Sequence, residues 1–192
     1  MEKNYITEKT FDGIDFSIEE FQPAEYDRCT FDSCNFSKCN LSDAVFTECA
    51  FNGCDMSLAK LGNTSIRDSI FKDCKMLGLR FENCNEFGLS FSFEDCILND
   101  SSFYKVKIKK TTFTNCRMHD IDFSEADLSA CVFDKCDLKG AVFNRTTLEK
   151  ADLRTAFKYS IDPELNRIKK AQFSIPSVIG LLNKYDIKIA LN

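Results

Sequence analysis

The sequence predicts an all-β solenoid: a four-sided parallel β-helix filling one domain, with a short helical cap at its C-terminal end. Three observations carry this. From Phe11 onward a large apolar residue returns at every fifth position. A small residue (Cys, Ala, Thr or Ser) stands two places before it over most of the run, and in the second half Phe alternates with an aliphatic residue. A period of five fits neither the 3.6-residue amphipathic helix nor the two-residue alternation of a half-buried strand. We call the large position the centre and the small one its partner.

Residues 1–10 are read as a lead-in that caps the first turn, because Ile6 is in phase but no small residue precedes it. The repeat proper is expected over 11–157. Its centres run Phe11, Phe16, Phe21, Tyr26, Phe31 and onward every fifth residue to Phe81, all large and apolar. The next centre would be Glu86, whose burial without a partner would cost several kcal/mol. The phase therefore slips by two within about 82–92, and Gly88 is the residue best suited to an unusual backbone angle there.

A second run starts at Phe93 and continues to Leu153. Phe and an aliphatic residue alternate from Phe93 to Leu148, so like residues recur every ten positions. Only an even number of quintets per turn keeps stacked columns pure. With four, Phe93, Phe113 and Phe133 share one column and Phe103, Phe123 and Phe143 share the opposite one, while Phe11, Phe31, Phe51 and Phe71 align in the first run. Coils stacked at the strand spacing of about 4.8 Å then build a filled rod roughly 34 Å long.

At Lys158 a charge occupies the next centre, and residues 158–192 are assigned to the cap. Asp162 is read as a helix N-cap with Pro163 as the first helical residue, which places Leu165, Ile168 and Ala171 on one face. Ser174 and Pro176 mark a second start, and 187–191 alternates like a short strand. Two readings stay open for this tail. It is either a cap alone, or a cap that also builds a two-fold homodimer by burying Ile179, Leu182, Ile187 and Ile189 against their copies.

The 11 cysteines all fall in partner slots, with no C-x-x-C pair and one histidine in the chain. They are read as small buried hydrophobes and not as metal ligands or disulfides; no metal or cofactor is expected. His119 follows centre Met118 and points outward while Cys116 points in, so no Cys-His nucleophilic pair is expected, and no Gly-rich phosphate loop is present. The chain is read as non-enzymatic, without catalytic residues. No apolar run approaches the ~20 residues of a membrane span and no signal-peptide core is present, so the expectation is a cytoplasmic protein away from membranes.

Quintets such as Ala126-Asp127-Leu128-Ser129-Ala130 and Ala151-Asp152-Leu153-Arg154-Thr155 resemble the A(D/N)LXX pattern of pentapeptide-repeat proteins. That resemblance implies a right-handed, quadrilateral parallel β-helix over roughly 11–155. The repeat followed by Asp162-Pro163-Glu164-Leu165-Asn166-Arg167-Ile168 and a closing Ile175-Pro176…Ile187-Lys188-Ile189 looks like the topoisomerase-protecting branch: Qnr-type quinolone-resistance proteins, MfpA and the microcin immunity protein McbG. The resemblance implies a homodimer joined end to end through the C-terminal segment. It also implies a DNA mimic that binds DNA gyrase or topoisomerase IV and protects it from quinolones or peptide toxins. The alternative is a structural or interaction scaffold with an unknown partner.

Charge bears on that expectation. Residues 1–85 carry fifteen acidic and nine basic side chains, 86–157 twelve and ten, and 158–192 three and six. Duplex DNA carries about one negative charge per ~1.7 Å, far more than this rod, so mimicry would rest on shape and local ridges. One candidate ridge is Asp120, Asp122, Glu125, Asp127, Asp134 and Asp137, near the proposed dimer junction and expected to face the basic saddle of a topoisomerase. Another is Asp12, Asp15, Glu20, Glu25, Asp27 and Asp32 at the far end. Basic groups lie between them, at Lys72, Lys75 and Arg80 and at Lys105, Lys107, Lys109 and Lys110. An acidic protein without an aromatic stacking platform is not expected to bind nucleic acid directly.

Overall fold

The computed structural model describes residues 4–190, and they form a right-handed parallel β-solenoid with four walls. The second wall carries the longest sheet. Its strands Thr10–Asp12, Thr30–Asp32, Ala50–Asn52, Ser69–Lys72, Phe91–Glu94, Thr112–Thr114 and Val132–Asp134 stack in that order, all parallel. The first wall begins with Tyr5–Thr7, Glu25–Asp27, Val45–Thr47 and Ser65–Arg67. The third and fourth walls are ladders of single bridges, for example Asn35 to Asp55 to Lys75 and Ser102 to Asp122 to Val142. Partners are twenty residues apart, as in Phe11 with Phe31 and Phe113 with Phe133.

The pure columns follow. Phe11, Phe31, Phe51 and Phe71 stack with ring centroids 4.8 Å apart at each step, and Phe93, Phe113 and Phe133 continue the column. Across the interior, Phe81, Phe103, Phe123 and Phe143 form the fourth-wall column. Rings of these opposite columns meet edge to face, as Phe103 does with Phe113. Each aromatic pair adds about 0.5–1.5 kcal/mol beyond the burial of its area.

The partner slot has a chemistry beyond smallness. The thiol of Cys54 donates to the carbonyl of Phe31 at 3.2 Å, Cys74 to Phe51 at 3.3 Å and Cys131 to Ile108 at 3.0 Å. Where the slot holds a hydroxyl the same bond is made: Thr64 donates to Leu41, Ser101 to Met76 and Thr146 to Phe123, each at 2.8 Å. The residue must be small, and a weak donor there satisfies a second lone pair on the carbonyl of a centre residue one coil earlier. All eleven cysteines are free, and all but half-buried Cys84 are buried. On the third wall Cys34, Cys54, Cys74, Cys96, Cys116 and Cys136 occupy six successive levels, each one residue before a rung of the bridge ladder.

At most corners the residue two places after the centre takes a left-handed conformation, from Glu8 and Gly13 to Lys150. The extra two residues enter between the fourth and second walls. Phe81–Asn83 form a 3-10 turn, Gly88 adopts φ +69°, and the next rung pairs Phe71 with Phe93 instead of a residue twenty along. The looped chain leaves Phe87 75% exposed.

Two expectations about the ends are corrected. Residues 5–7 are not a separate cap: they form the first strand of the solenoid, with Ile6 opposite Tyr26. Residues 165–171 are not a helix. Asp162 starts only a single turn, its carboxylate accepting the Glu164 N–H at 2.8 Å and its carbonyl those of Leu165 and Asn166. Asn166 then drops into a partner slot and donates to the Phe143 carbonyl at 3.0 Å, and Arg167 and Gln172 pair with Thr147 and Asp152. Ile168 and Phe173 are in phase with Leu148 and Leu153 and pack against the core, so the ladder outcompetes the Asp-Pro helix signal. Lys158 leaves its centre position, while Tyr159 and Ile161 fill the interior at 3% and 1% exposure. The cap consists of 3-10 turns at Val178–Leu181 and Asn183–Tyr185, and 187–190 are not a strand; residue 191 lies outside the described residues.

Candidate functional site

With twenty residues per coil, a run of acids in sequence travels round the rod instead of along it. The candidate ridge spans nearly one coil, and its members occupy all four walls. Asp134 sits on the second wall beside Phe133, and Asp137 on the third in the ladder Arg117 to Asp137 to Phe157. Asp122 lies on the fourth between Ser102 and Val142, and Asp127 on the first between Lys107 and Thr147. Asp120 and Glu125 are corner residues with φ of 53° and 57°. All six point outward, but no single face presents them together.

Most of their carboxylates are also engaged. Asp137 lies 2.6 Å from Lys158 Nζ and 3.1 Å from His119 Nε2. Partial burial works against its ionisation, but the bonds to Lys158 and His119 outweigh it and hold Asp137 below the usual carboxylate range. Asp127 is partly desolvated too, yet Ser129 and Lys109, at 2.5 Å and 3.1 Å, keep it lowered. Glu125 stands 3.7 Å from Lys105 and accepts the Tyr104 hydroxyl. Asp134 accepts the Thr155 hydroxyl at 2.9 Å, and Asp122 the Ser124 N–H at 2.8 Å. Exposed pairs of this kind add at most about 1 kcal/mol each. Their consequence is electrostatic, since they dilute the field a cationic partner would meet.

The four apolar tail residues behave differently. Ile179, Leu182, Ile187 and Ile189, with Asn183 and Asp186, line one depression of about 190 Å³ at the C-terminal end of the rod. Ile187 and Ile189 are 56% and 42% exposed, and Ile175 nearby is 88% exposed. The shelf is held to the coil by the Ile161 N–H donating to the Gly180 carbonyl at 3.0 Å. Lys184 bridges Asp162 at 2.8 Å and Glu164 at 2.6 Å. The structure thus brings the candidate dimer residues together, with Ile187 and Ile189 exposed and Ile179 and Leu182 half-buried.

One concavity was not foreseen from the sequence. The inserted residues lift the chain off the first wall and open a cavity of about 290 Å³, floored by Phe81, Leu89 and Val106 and bordered by Glu82, Glu86, Lys105 and Lys107. The signal for it was the same two-residue slip that marked the break. Elsewhere, His119 is outward beside Asp137 and Cys116 is inward, its thiol donating to the Thr114 carbonyl. Among the described residues no helix is long and apolar enough to cross a membrane.

The family model described as pentapeptide repeats, in eight copies, matches residues 27–63, and that described as a pentapeptide repeat region matches residues 89–157. Together they take in more than half of the chain and leave residues 64–88 between them unmatched. No curated protein matches it. Among solved structures, a trypsin-treated form of QnrB1, a plasmid-mediated fluoroquinolone resistance protein, is similar with a TM-score of 0.77 at 19% identity, over 100% of this chain and 96% of that one. A second trypsin-treated QnrB1 form gives 0.62 at 17% identity, over 98% and 99%. HetL, involved in heterocyst differentiation regulation in Nostoc sp. strain PCC 7120, gives 0.48 at 19%, over 91% and 86%. At these identities the likeness is one of fold.

Proposed function

The chain belongs to the pentapeptide-repeat family, and from that premise we propose that it is a non-catalytic binding protein. In this reading two rods join end to end, and the long dimer occupies the DNA-binding surface of a type II topoisomerase, DNA gyrase or topoisomerase IV. It would thereby limit poisoning by quinolones or peptide toxins. The observation that carries the reading is the apolar shelf of Ile179, Leu182, Ile187 and Ile189 at one end of the rod, on which Ile187 and Ile189 are exposed. Apolar surface of this kind at a chain end marks an association site, and a two-fold contact there doubles the rod length. The match over nearly the full length of both chains to QnrB1, a plasmid-mediated fluoroquinolone resistance protein, supports the protective part of the reading.

The charge pattern shapes the proposal. Because the six acids encircle the rod, a topoisomerase would read the width and straightness of the solenoid with acids on more than one side, and not a single phosphate-like ridge. The test is a gyrase supercoiling assay titrated with purified protein, with and without a fluoroquinolone, beside light scattering to measure mass. The expected result is a dimer that inhibits supercoiling or rescues it from the drug. A dimer with neither effect at micromolar concentration removes the topoisomerase reading, and a stable monomer removes the shelf's role. The dispersion and pairing of the acids favour a second reading, a scaffold for another protein, which those outcomes would leave standing.

A further inference from the structure

We propose that the first wall beyond the phase break is a binding face for the phosphate backbone of duplex nucleic acid. Coils of twenty residues lay four segments over one another there: 105–110, 125–130, 145–150 and 165–170. Lys107, Asp127, Thr147 and Arg167 are successive partners in its ladder. At its corner Lys110 donates to Ser129, Ala130 to Glu149 and Lys150 to Lys169 through backbone N–H groups. These segments hold nine basic side chains, all exposed, against three acidic ones. The rest of the chain then holds sixteen basic and twenty-seven acidic side chains, so a face of +6 stands on a remainder of −11, which together make the net −5.

Each of the three acids already has a base: Glu125 with Lys105 at 3.7 Å, Asp127 with Lys109 at 3.1 Å and Glu149 with Arg167 at 3.0 Å. Lys107, Lys110, Arg145, Lys150, Lys169 and Lys170 make no ion pair among the described residues. Six unneutralised cations on one flat face are the electrostatic footprint of a polyanion site.

The form of the face selects the polyanion. Its outward positions carry one large apolar side chain, Leu165 at the last corner. A protein interface would need buried anchors at its centre, and single strands would need stacking platforms. A duplex needs charge alone. Four levels about 4.8 Å apart span roughly 14 Å, over which duplex DNA carries roughly eight phosphate charges. This assignment does not rest on the topoisomerase reading, and it differs from what the net acidity of the chain suggests because it depends on segments twenty residues apart being stacked.

The experiment is fluorescence anisotropy of a labelled duplex of about 20 base pairs titrated with the full chain over a range of salt. The wild type is expected to bind at low salt, with log K falling against log salt at a slope of roughly −3 to −5. The triple variant Lys110→Asn, Lys150→Asn, Lys170→Asn is expected to bind at least tenfold more weakly, with a slope smaller by roughly three. These lysines have φ between 62° and 64°, a conformation asparagine tolerates better, so a thermal melt should show the variant fully folded. The control Lys38→Asn, Lys135→Asn changes corners on other sides of the rod and should bind as the wild type does. The proposal is overturned if the duplex does not bind at about 50 mM salt, or if the control loses as much as the triple variant. It is equally overturned if phosphatidylserine vesicles or polyglutamate bind this face more tightly than the duplex.

Discussion

Gly180 lies so close to Tyr159 that a Cβ on it would sit 2.3 Å from the Tyr159 carbonyl oxygen and 2.7 Å from its ring. Tyr159 is the last aromatic residue of the core, so this contact docks the apolar shelf on the rod. Neither the backbone oxygen nor the buried ring can yield. Gly180→Ala is expected to cost about 1–3 kcal/mol, confined to the cap. Urea melts should lose cooperativity at the C-terminal end, and light scattering should show a lower dimer fraction. An unchanged melt and mass would separate the shelf from Tyr159.

The corners supply a second prediction, of opposite sign at two positions. Leu58 holds φ +59° with 56% of its surface exposed, a conformation that costs a branched L-residue about 1–2 kcal/mol. Leu58→Asn should raise stability by about 1 kcal/mol, read as a higher denaturant midpoint at the same slope. Gly140 has φ +70°, and a Cβ there would fall 2.2 Å from Asp120 Oδ1 and 3.5 Å from its backbone nitrogen. Gly140→Ala should lower the midpoint by the equivalent of about 1–2 kcal/mol. Equal effects at the two sites would show that corner conformation is not the cause.

Buried thiols make the rod sensitive to alkali. Burial is the main cause that pushes Cys34 up to about 11 and Cys49, Cys84 and Cys131 up to about 12, from the ordinary 9.0. The folded chain keeps these protons where the unfolded chain releases them. The resulting stability is fully present below pH 9 and is lost between about pH 9 and the folded values. Each thiol contributes a loss of up to about 1.4 kcal/mol per pH unit in that window. Urea midpoints should hold between pH 8 and 9 and fall steeply from about pH 9 to 11, less so in Cys49→Ala, Cys131→Ala. A flat profile would refute the assignment. Ellman's reagent at pH 8 should label few thiols until denaturant is added.

Periodicity made the walls, the columns and the two-residue slip legible, since only an even number of quintets per coil keeps Phe93, Phe113 and Phe133 in a column free of the aliphatic centres. The partner-slot hydrogen bonds were hidden because smallness alone explains Cys and Ala, and only the carbonyl of the previous coil explains Thr64, Ser101, Thr146 and Asn166. At the end of the rod, Asp162-Pro163 carried a true local signal for one turn, and the in-phase Ile168 and Phe173 decided what followed. For the acidic residues, neighbours in sequence are not neighbours on one face. Residues 120 and 137 are nearly a full coil apart, so Asp120, Asp122, Glu125, Asp127, Asp134 and Asp137 had to encircle the rod.

That geometry yields the sharpest test of how a partner reads the acids. Asp122, Asp127, Asp134 and Asp137 stand on the fourth, first, second and third walls, so four single reversals to lysine survey the circumference at nearly one height. Asp122 and Asp134 accept hydrogen bonds but have no basic partner in contact among the described residues, whereas Asp127 and Asp137 are held by Lys109 and by Lys158 with His119. Reversal of an unpaired acid changes the local field fully, while reversal of a paired one also frees the base and adds its charge. A saddle that embraces the rod should lose at least fivefold affinity for two or more of the four variants, with the affected walls adjacent. In a gyrase pull-down at about 100 mM salt, loss for a single wall would mean a flat contact and exclude an embraced rod. Loss for none would exclude these acids from the contact altogether. Because all four side chains point away from the core, melting temperatures within about 2 °C of wild type should accompany any loss, which separates a binding effect from unfolding.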